Sequence, residues 1–330
     1  MKRENPFVRI YQECNEGGNL EKWKKLQSNP DAYPKYIDIE LTNHCNLGCY
    51  MCPVGTQVMK RARGFMAMEI IEKLCDELRQ SSIQGVRLIR WGEPTMHPEF
   101  LVILQKLKET GKAVHCNTNG ILLDKETIHK IVDLEIDSIK FSFQGVDKEL
   151  YEEMRNGSSW DRLMENIRFM NELRGDRPKP YIQISTTTTA ETQEEIDKFL
   201  EMISPLCDYI NVGKTKLSHL DVNSMKISEE KKQKYLGLRA KENLQKCHFS
   251  VCPEVFDKLS VNWDGKVSAC CSDFDNMLLV GDMTYETLKD IYHGEKIRKI
   301  REIIGRDDYD ALPLCRECYQ YIELRKNEKL

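Results

Sequence analysis

Cys45-Asn46-Leu47-Gly48-Cys49-Tyr50-Met51-Cys52 sets three cysteines at C-x3-C-x2-C, directly after the alternating run Tyr36-Ile37-Asp38-Ile39-Glu40-Leu41-Thr42. Apolar residues at every second position read as a strand, so the cysteines fall on the loop that leaves it. Gly48 and Pro53 mark that loop as a turn, which argues against thiols packed only for their bulk. Three thiolates so closely spaced can hold three irons of a cubane and leave the fourth iron open to another ligand. Zinc is the alternative, but a structural zinc site takes four ligands, usually from paired C-x2-4-C elements, and this spacing fits no common zinc pattern.

Outward from that loop, helical and strand periods alternate. Helices are expected over 68–78, 98–110, 123–134, 161–173 and 193–203, and strands over 85–90, 112–116, 138–143, 181–186 and 208–212. With the run from Tyr36 this makes six strands, joined as right-handed βαβ units into a parallel sheet. Six is short of the eight of a closed barrel, and the pattern fits an incomplete barrel or an open doubly wound sheet. Residues 1–34 are polar and broken by Gly17, Gly18, Pro30 and Pro34; they read as a helical lead-in docked by Tyr11 and Trp23.

A chain of 330 residues is long enough for one large domain and a small one. Its net charge of −4 gives no general attraction to nucleic acid or a membrane surface. Thirteen cysteines, without a signal peptide or a long apolar run, indicate a reducing cytoplasm in which thiols serve metals or redox chemistry. Residues 215–246 carry more basic than acidic side chains and read as a solvated helical linker. A second reading has its first lysines, or His219, meet an anionic substrate.

A second cysteine constellation fills residues 247–330. Cys252 and Cys270 flank the run Leu259-Ser260-Val261-Asn262-Trp263-Asp264-Gly265-Lys266-Val267-Ser268-Ala269, a hairpin with an Asp264-Gly265 turn that brings both cysteines to one end. Cys315 and Cys318 add a C-x2-C turn. Four thiolates make a cage that an iron-sulfur cluster or a zinc ion accepts. Cys247 and Cys271 are left over, and either can replace a ligand.

The C-x3-C-x2-C loop resembles the signature of the radical S-adenosylmethionine (SAM) superfamily. In that family the open iron chelates the amino and carboxylate groups of SAM, and reductive cleavage releases a 5′-deoxyadenosyl radical. The resemblance implies an α/β fold, a partial (β/α)6 TIM barrel over 35–214, with Cys45, Cys49 and Cys52 as ligands of a 4Fe-4S cluster. Trp91-Gly92-Glu93-Pro94 is similar to the family's Gly-Gly-Glu-Pro segment, which holds the methionine ammonium, with Trp91 in place of the first glycine. By the same resemblance Asn117 and Asn119 contact SAM, Ser142 and Arg155 reach its ribose and carboxylate, Thr187 lines the ribose, and Val212-Gly213 lies beside adenine.

The C-x12-G-x4-C…C-x2-C pattern resembles the C-terminal extension of SPASM and twitch enzymes. It implies that Cys252, Cys270, Cys315 and Cys318 hold an auxiliary 4Fe-4S cluster, one only, since twelve residues follow Cys318. The ligand spacing is similar to that of 2-deoxy-scyllo-inosamine dehydrogenase-like and related sugar- and aminocyclitol-modifying enzymes. The implied reaction removes hydrogen from a carbinol carbon and passes one electron to the auxiliary cluster, leaving a ketone. An epimerase of a sugar, aminocyclitol or peptide is the alternative, with Cys271 or Cys247 as hydrogen donor and Cys116 as a further one. Peptide crosslinking is a third reading, set against the absence of a peptide-binding winged helix within residues 1–34, and a non-catalytic zinc protein is a fourth. His115, Glu93 and Arg155 are candidate bases at the barrel mouth. A small-molecule substrate and an external reductant such as flavodoxin or ferredoxin complete the expected partners, with no nucleic acid and no membrane.

Overall fold

A computed structural model describes residues 3–217, 222, 225, 227–243, 252, 254–316 and 318. Strands β1 (Tyr36–Ile39), β2 (Gly85–Leu88), β3 (Ala113–Thr118), β4 (Ser138–Ser142), β5 (Tyr181–Thr188) and β6 (Tyr209–Lys214) lie side by side in chain order, each parallel to the last. A doubly wound sheet would reverse its strand order at a switch point. This order, with no reversal, is the wall of a partial (β/α)6 barrel.

Strand residues of one parity are apolar and pack outward. Ile37, Val86, Val114, Ile139 and Ile182 join one buried core with Ile71, Leu74 and Leu78 of α3 (Met68–Gln80), Ile103 and Leu107 of α4 (Phe100–Lys108), Ile128 and Ile131 of α5 (Lys125–Asp133), Leu163 and Ile167 of α7 (Trp160–Arg174), and Phe199 of α8 (Gln193–Ile203). Residues of the other parity are polar on every strand from β1 to β5: Asp38, Arg87, His115, Asn117, Lys140, Ser142, Gln183 and Ser185. Successive side chains of a strand point to opposite faces, so these line the barrel lumen. Parallel strands buried on both faces are usually apolar throughout. Here the inward face is polar instead.

The bottom of the barrel is closed by α1 (Pro6–Cys14), which Asn5 caps by accepting a bond from the Phe7 amide at 3.0 Å. Phe7 fills the space left by Gly85, where a Cβ would stand 2.8 Å from its ring. Helix α2 (Asn19–Gln27) follows, held by an ion pair between Lys22 and Asp257.

The C-terminal region extends the same sheet. Strands β7 (Lys258–Val261) and β8 (Lys266–Ser268) form the expected hairpin, with Gly265 at φ +82 closing its turn. β9 (Leu279–Asp282) pairs with β8, and β7 lies parallel to β1, giving a nine-stranded sheet. Sequence reasoning did not anticipate the β7–β1 pairing; it covers an edge of β1 that would otherwise expose unpaired amides and carbonyls. Helices α10 (Leu288–His293) and α11 (Glu295–Gly305) back this extension, and α12 (Pro313–Arg316) carries Cys315.

Within the expected linker, α9 (Glu229–Asn243) forms. Its Tyr235 shares a buried cluster with Leu217, Val222, Met225, Met154 and Tyr50, so the linker clamps the cysteine loop. Lys231 pairs with Glu153 at 2.6 Å, a surface use for one of the lysines. His219 and Cys247 lie outside the described residues. Among the described residues no helix is long and apolar enough to cross a membrane.

Candidate active site

The cysteine loop is wound tightly enough to aim amides at its own sulfurs. Cys52 N–H bonds the Cys49 carbonyl at 3.1 Å, and the chain then doubles back so closely that a Cβ on Gly55 would stand 2.3 Å from the Cys49 oxygen. The Leu47 amide donates to the Cys45 sulfur, and those of Val54 and Gly55 to the Cys52 sulfur. Burial pushes the Cys45 thiol up to about 12 and the Cys49 thiol up to about 11, the latter against the pull of Arg155. Iron bound here would have to displace these protons, and the donated amides would stabilise the thiolates. The loop is tied down by a two-residue antiparallel ladder in which Cys49 faces Arg155, after α6 (Lys148–Met154).

Cys45, Cys49 and Cys52 share one cavity of about 280 Å³ with Gly92, Glu93, Pro94, Asn117, Asn119, Ser142 and Arg155, at the C-terminal ends of β1 to β4. Two turns frame it. The turn after β2 presses against the loop, with Gly92 at φ +96 and the Glu93 amide bonding the His44 carbonyl at 2.8 Å. In the turn after β3, Asn119 Nδ2 donates to Asn46 Oδ1 at 2.8 Å and comes within 3.9 Å of the Cys45 sulfur. Arg155 Nη2 donates to the Phe143 carbonyl at 3.0 Å, while its buried Nε meets no acceptor among the described residues. A guanidinium with a spare buried donor beside three thiols suits a carboxylate ligand on a cluster iron.

Below the cavity the lumen holds a network of paired charges. Asp38 takes both prongs of the Arg87 guanidinium at 2.6 and 2.8 Å and also pairs with Lys258 at 3.0 Å; Lys258 in turn pairs with Glu254. Despite its burial, the two cations hold the Asp38 carboxyl well below the usual carboxylate range. His115 Nε2 donates to Asn117 Oδ1 and Nδ1 accepts from Ser138 Oγ, both at 2.6 Å, and burial lowers its pKa to about 3.

On the other side of the lumen stands the second cysteine set. Cys315 feels the charges of Cys252 and Cys318, and Cys270 feels Cys318, so the four sulfurs share one neighbourhood. Cys271 bonds the side chain of Cys270 and also feels Lys258 and Asp38 in the lumen. Two arginines join this region to the barrel. Arg90 donates to the carbonyls of Cys270 (3.2 Å) and Asp273 (2.8 Å), and Arg61 donates to the Phe274 carbonyl at 2.6 Å while its other nitrogens grip Glu40. Neither arginine stood out in the sequence, since nothing local marks a side chain that bonds the carbonyls of a loop far along the chain.

Residues 39–204 match the model of the Radical SAM superfamily. The chain belongs to the radical SAM superfamily. Residues 252–319 match the SPASM iron-sulfur cluster-binding domain. Among curated proteins, the chain is 26% identical over 172 residues to a tungsten-containing aldehyde ferredoxin oxidoreductase cofactor-modifying protein of Pyrococcus furiosus, a match covering 49% of this chain and 46% of that one. It is 24% identical over 314 residues to a probable GTP 3′,8-cyclase of Saccharolobus solfataricus, covering 86% of this chain and 96% of the relative. Among solved structures it resembles BtrN in complex with AdoMet and 2-DOIA (16% identity, TM-score 0.56, 88% of this chain and 94% of that one). It also resembles Streptococcus suis SuiB bound to its precursor peptide SuiA (17% identity, TM-score 0.64, 85% and 70%). The cofactors of this radical SAM enzyme are 4Fe-4S clusters and SAM.

Several expected radical SAM site residues are placed otherwise. Glu93 offers no open carboxylate: it is 2% exposed and accepts from Thr118 Oγ1 (2.7 Å), Thr95 Oγ1 (2.7 Å), Thr95 N (3.3 Å) and Asn119 N (2.7 Å). It staples the two turns together. His115 is not at the barrel mouth but within the lumen, with both ring nitrogens engaged. Cys116 belongs to the outward parity of β3 and is buried in the apolar core, away from the lumen. Thr187, at the C-terminal end of β5, does not line the cavity; its hydroxyl donates to Gln144 Oε1 at 2.8 Å.

Proposed function

We propose that this enzyme is a dehydrogenase that oxidises a carbinol carbon of a small hydrophilic alcohol, a sugar or aminocyclitol, to a ketone. The observation that carries the reading is a polar lumen bounded by the first cysteine cavity on one side and the Cys270-Cys271 loop on the other. In this reading residues 35–214 are the catalytic barrel and 247–330 the electron-accepting module. Cys45, Cys49 and Cys52 hold the SAM-binding cluster, and Cys252, Cys270, Cys315 and Cys318 the auxiliary one. Bound there, these groups supply a hydrogen-abstracting 5′-deoxyadenosyl radical and a one-electron acceptor.

The chain's own residues position and confine. Arg155, with its spare Nε, would take the SAM carboxylate, and Asn119, Asn117 and Ser142 would take its other polar groups. Arg90 and Arg61 fix the auxiliary loop over the barrel, which holds the distance an electron must cross. The paired charges of Asp38, Arg87 and Lys258 give the lumen a polar floor. BtrN, which shares this fold, is bound to AdoMet and 2-DOIA, and that supports the small-molecule reading. An epimerase is the second reading, favoured by a further thiol, Cys271, near enough to feel the lumen charges Lys258 and Asp38.

Anaerobic incubation of the reconstituted enzyme with SAM, dithionite and 2-deoxy-scyllo-inosamine, glucosamine or myo-inositol tests the proposal. Ketone and 5′-deoxyadenosine in equal amounts are expected from at least one alcohol. No ketone from any of them would reject it.

A further inference from the structure

We propose that Lys140 is the catalytic base of the lumen, the amine that takes the substrate's hydroxyl proton as the carbinol carbon is oxidised. This rests on the dehydrogenase reading and adds the proton acceptor that reading lacks.

Lys140 lies on β4 between Asn117 of β3 and Gln183 of β5. It has the inward parity, and the next inward residue, Ser142, lines the cavity of the first cysteine set about 7 Å further along the strand. From the opposite side, Cys271 is near enough for Lys140 to feel its charge. The amine therefore faces the lumen between Ser142, at the cavity of the first cysteine set, and Cys271, where a carbinol oxidised between the two cysteine sets would meet it.

Its chemistry differs from that of the other lumen cations. Arg87 is held by Asp38, and Lys258 by Asp38 and Glu254. Lys140 has no hydrogen-bond or ion-pair partner among the described residues. Half-buried and without an acceptor, an ammonium here is less well solvated than in bulk water, which favours the neutral amine. Burial and the Arg87 charge push its pKa down to about 8, against the opposing pull of Asp38 and Cys271. His115, neutral at this depth, adds no charge of its own. The other candidates are occupied or unsuited: His115 has both nitrogens engaged, Glu93 accepts four bonds, and an arginine such as Arg155 is too basic.

The step balances. The carbinol C–H bond breaks and its hydrogen atom goes to the 5′-deoxyadenosyl radical. The O–H bond breaks and its proton goes to the Lys140 nitrogen. One electron leaves for the auxiliary cluster, and the C=O bond forms. The substrate loses two electrons and two protons, and the Lys140 ammonium returns its proton to solvent on product release.

Two readouts test this. The first is the pH dependence of Lys140 acetylation by limiting acetic anhydride, in the cluster-loaded enzyme under anaerobic conditions, measured by peptide mass spectrometry. A midpoint near 8 is expected, and a midpoint of 10 or above overturns the proposal. The second is turnover of Lys140→Arg and Lys140→Met with the three alcohols above, iron content serving as the check on folding. Both variants should still form 5′-deoxyadenosine while ketone formation falls by about 10²-fold or more. Wild-type rates of ketone formation in Lys140→Arg would overturn the role of Lys140 and leave the dehydrogenase standing. No ketone from the wild-type enzyme would instead reject the dehydrogenase, and this proposal with it.

Discussion

Gly92 and Thr42 are in backbone contact: a Cβ on Gly92 would stand 2.3 Å from the Thr42 carbonyl oxygen. The contact presses the turn after β2 onto the segment that leads into Cys45, so one glycine sets how closely the two halves of the cavity approach.

Gly92→Ala adds both a clash with backbone and a side chain at φ +96. It should destabilise the fold by more than about 2 kcal/mol and lower iron incorporation. Gly111 is the control, at φ +75 with nothing within 4 Å of a built Cβ. Gly111→Ala should cost only about 1–2 kcal/mol of backbone strain and leave iron content unchanged. Unfolding curves and iron analysis of the pair check this; equal iron in the two variants would contradict it.

Replacing Cys45, Cys49 and Cys52 together by alanine should remove one cluster. Iron and sulfide after anaerobic reconstitution should fall from about eight of each per chain to about four, each cubane holding four of each. Formation of 5′-deoxyadenosine should cease. Undiminished SAM cleavage in this variant would refute the assignment of these three ligands.

His115 makes stability fall with acid. Its pKa in the folded chain is lowered to about 3, chiefly by burial. The unfolded chain therefore binds a proton near pH 6.5 that the folded chain refuses until far lower pH. Its contribution is present above pH 6.5 and is lost as pH falls toward 3, amounting to about 2 kcal/mol between pH 7 and pH 5. His115→Gln should remove that slope, measured as the difference in urea midpoints between the two pH values. Parallel slopes in the two proteins would exclude His115 as the source.

Much of this architecture is legible because its signals are local. Apolar alternation marked all six barrel strands, and the spacing of Cys45, Cys49 and Cys52 marked the site. Parity carried more than was read from it. The polar residues Asp38, Arg87, His115 and Lys140 each alternate with core residues, which places them in the lumen and puts Cys116 outside it. What local pattern cannot show is long-range pairing. Nothing around Lys258 says that β7 joins β1, and nothing around Arg90 says that it holds the carbonyls of Cys270 and Asp273. The partners of the Glu93 carboxylate escape local pattern for the same reason, since Thr118 and Asn119 arrive from the neighbouring strand.

The most direct test of dehydrogenation is turnover in heavy water, with the fate of the reacting carbon followed by mass spectrometry and NMR. The account predicts a ketone with no alcohol product, and no solvent deuterium at the reacting carbon. An alcohol product carrying deuterium at that carbon, lost in Cys271→Ala while SAM cleavage persists, would contradict it and establish an epimerase.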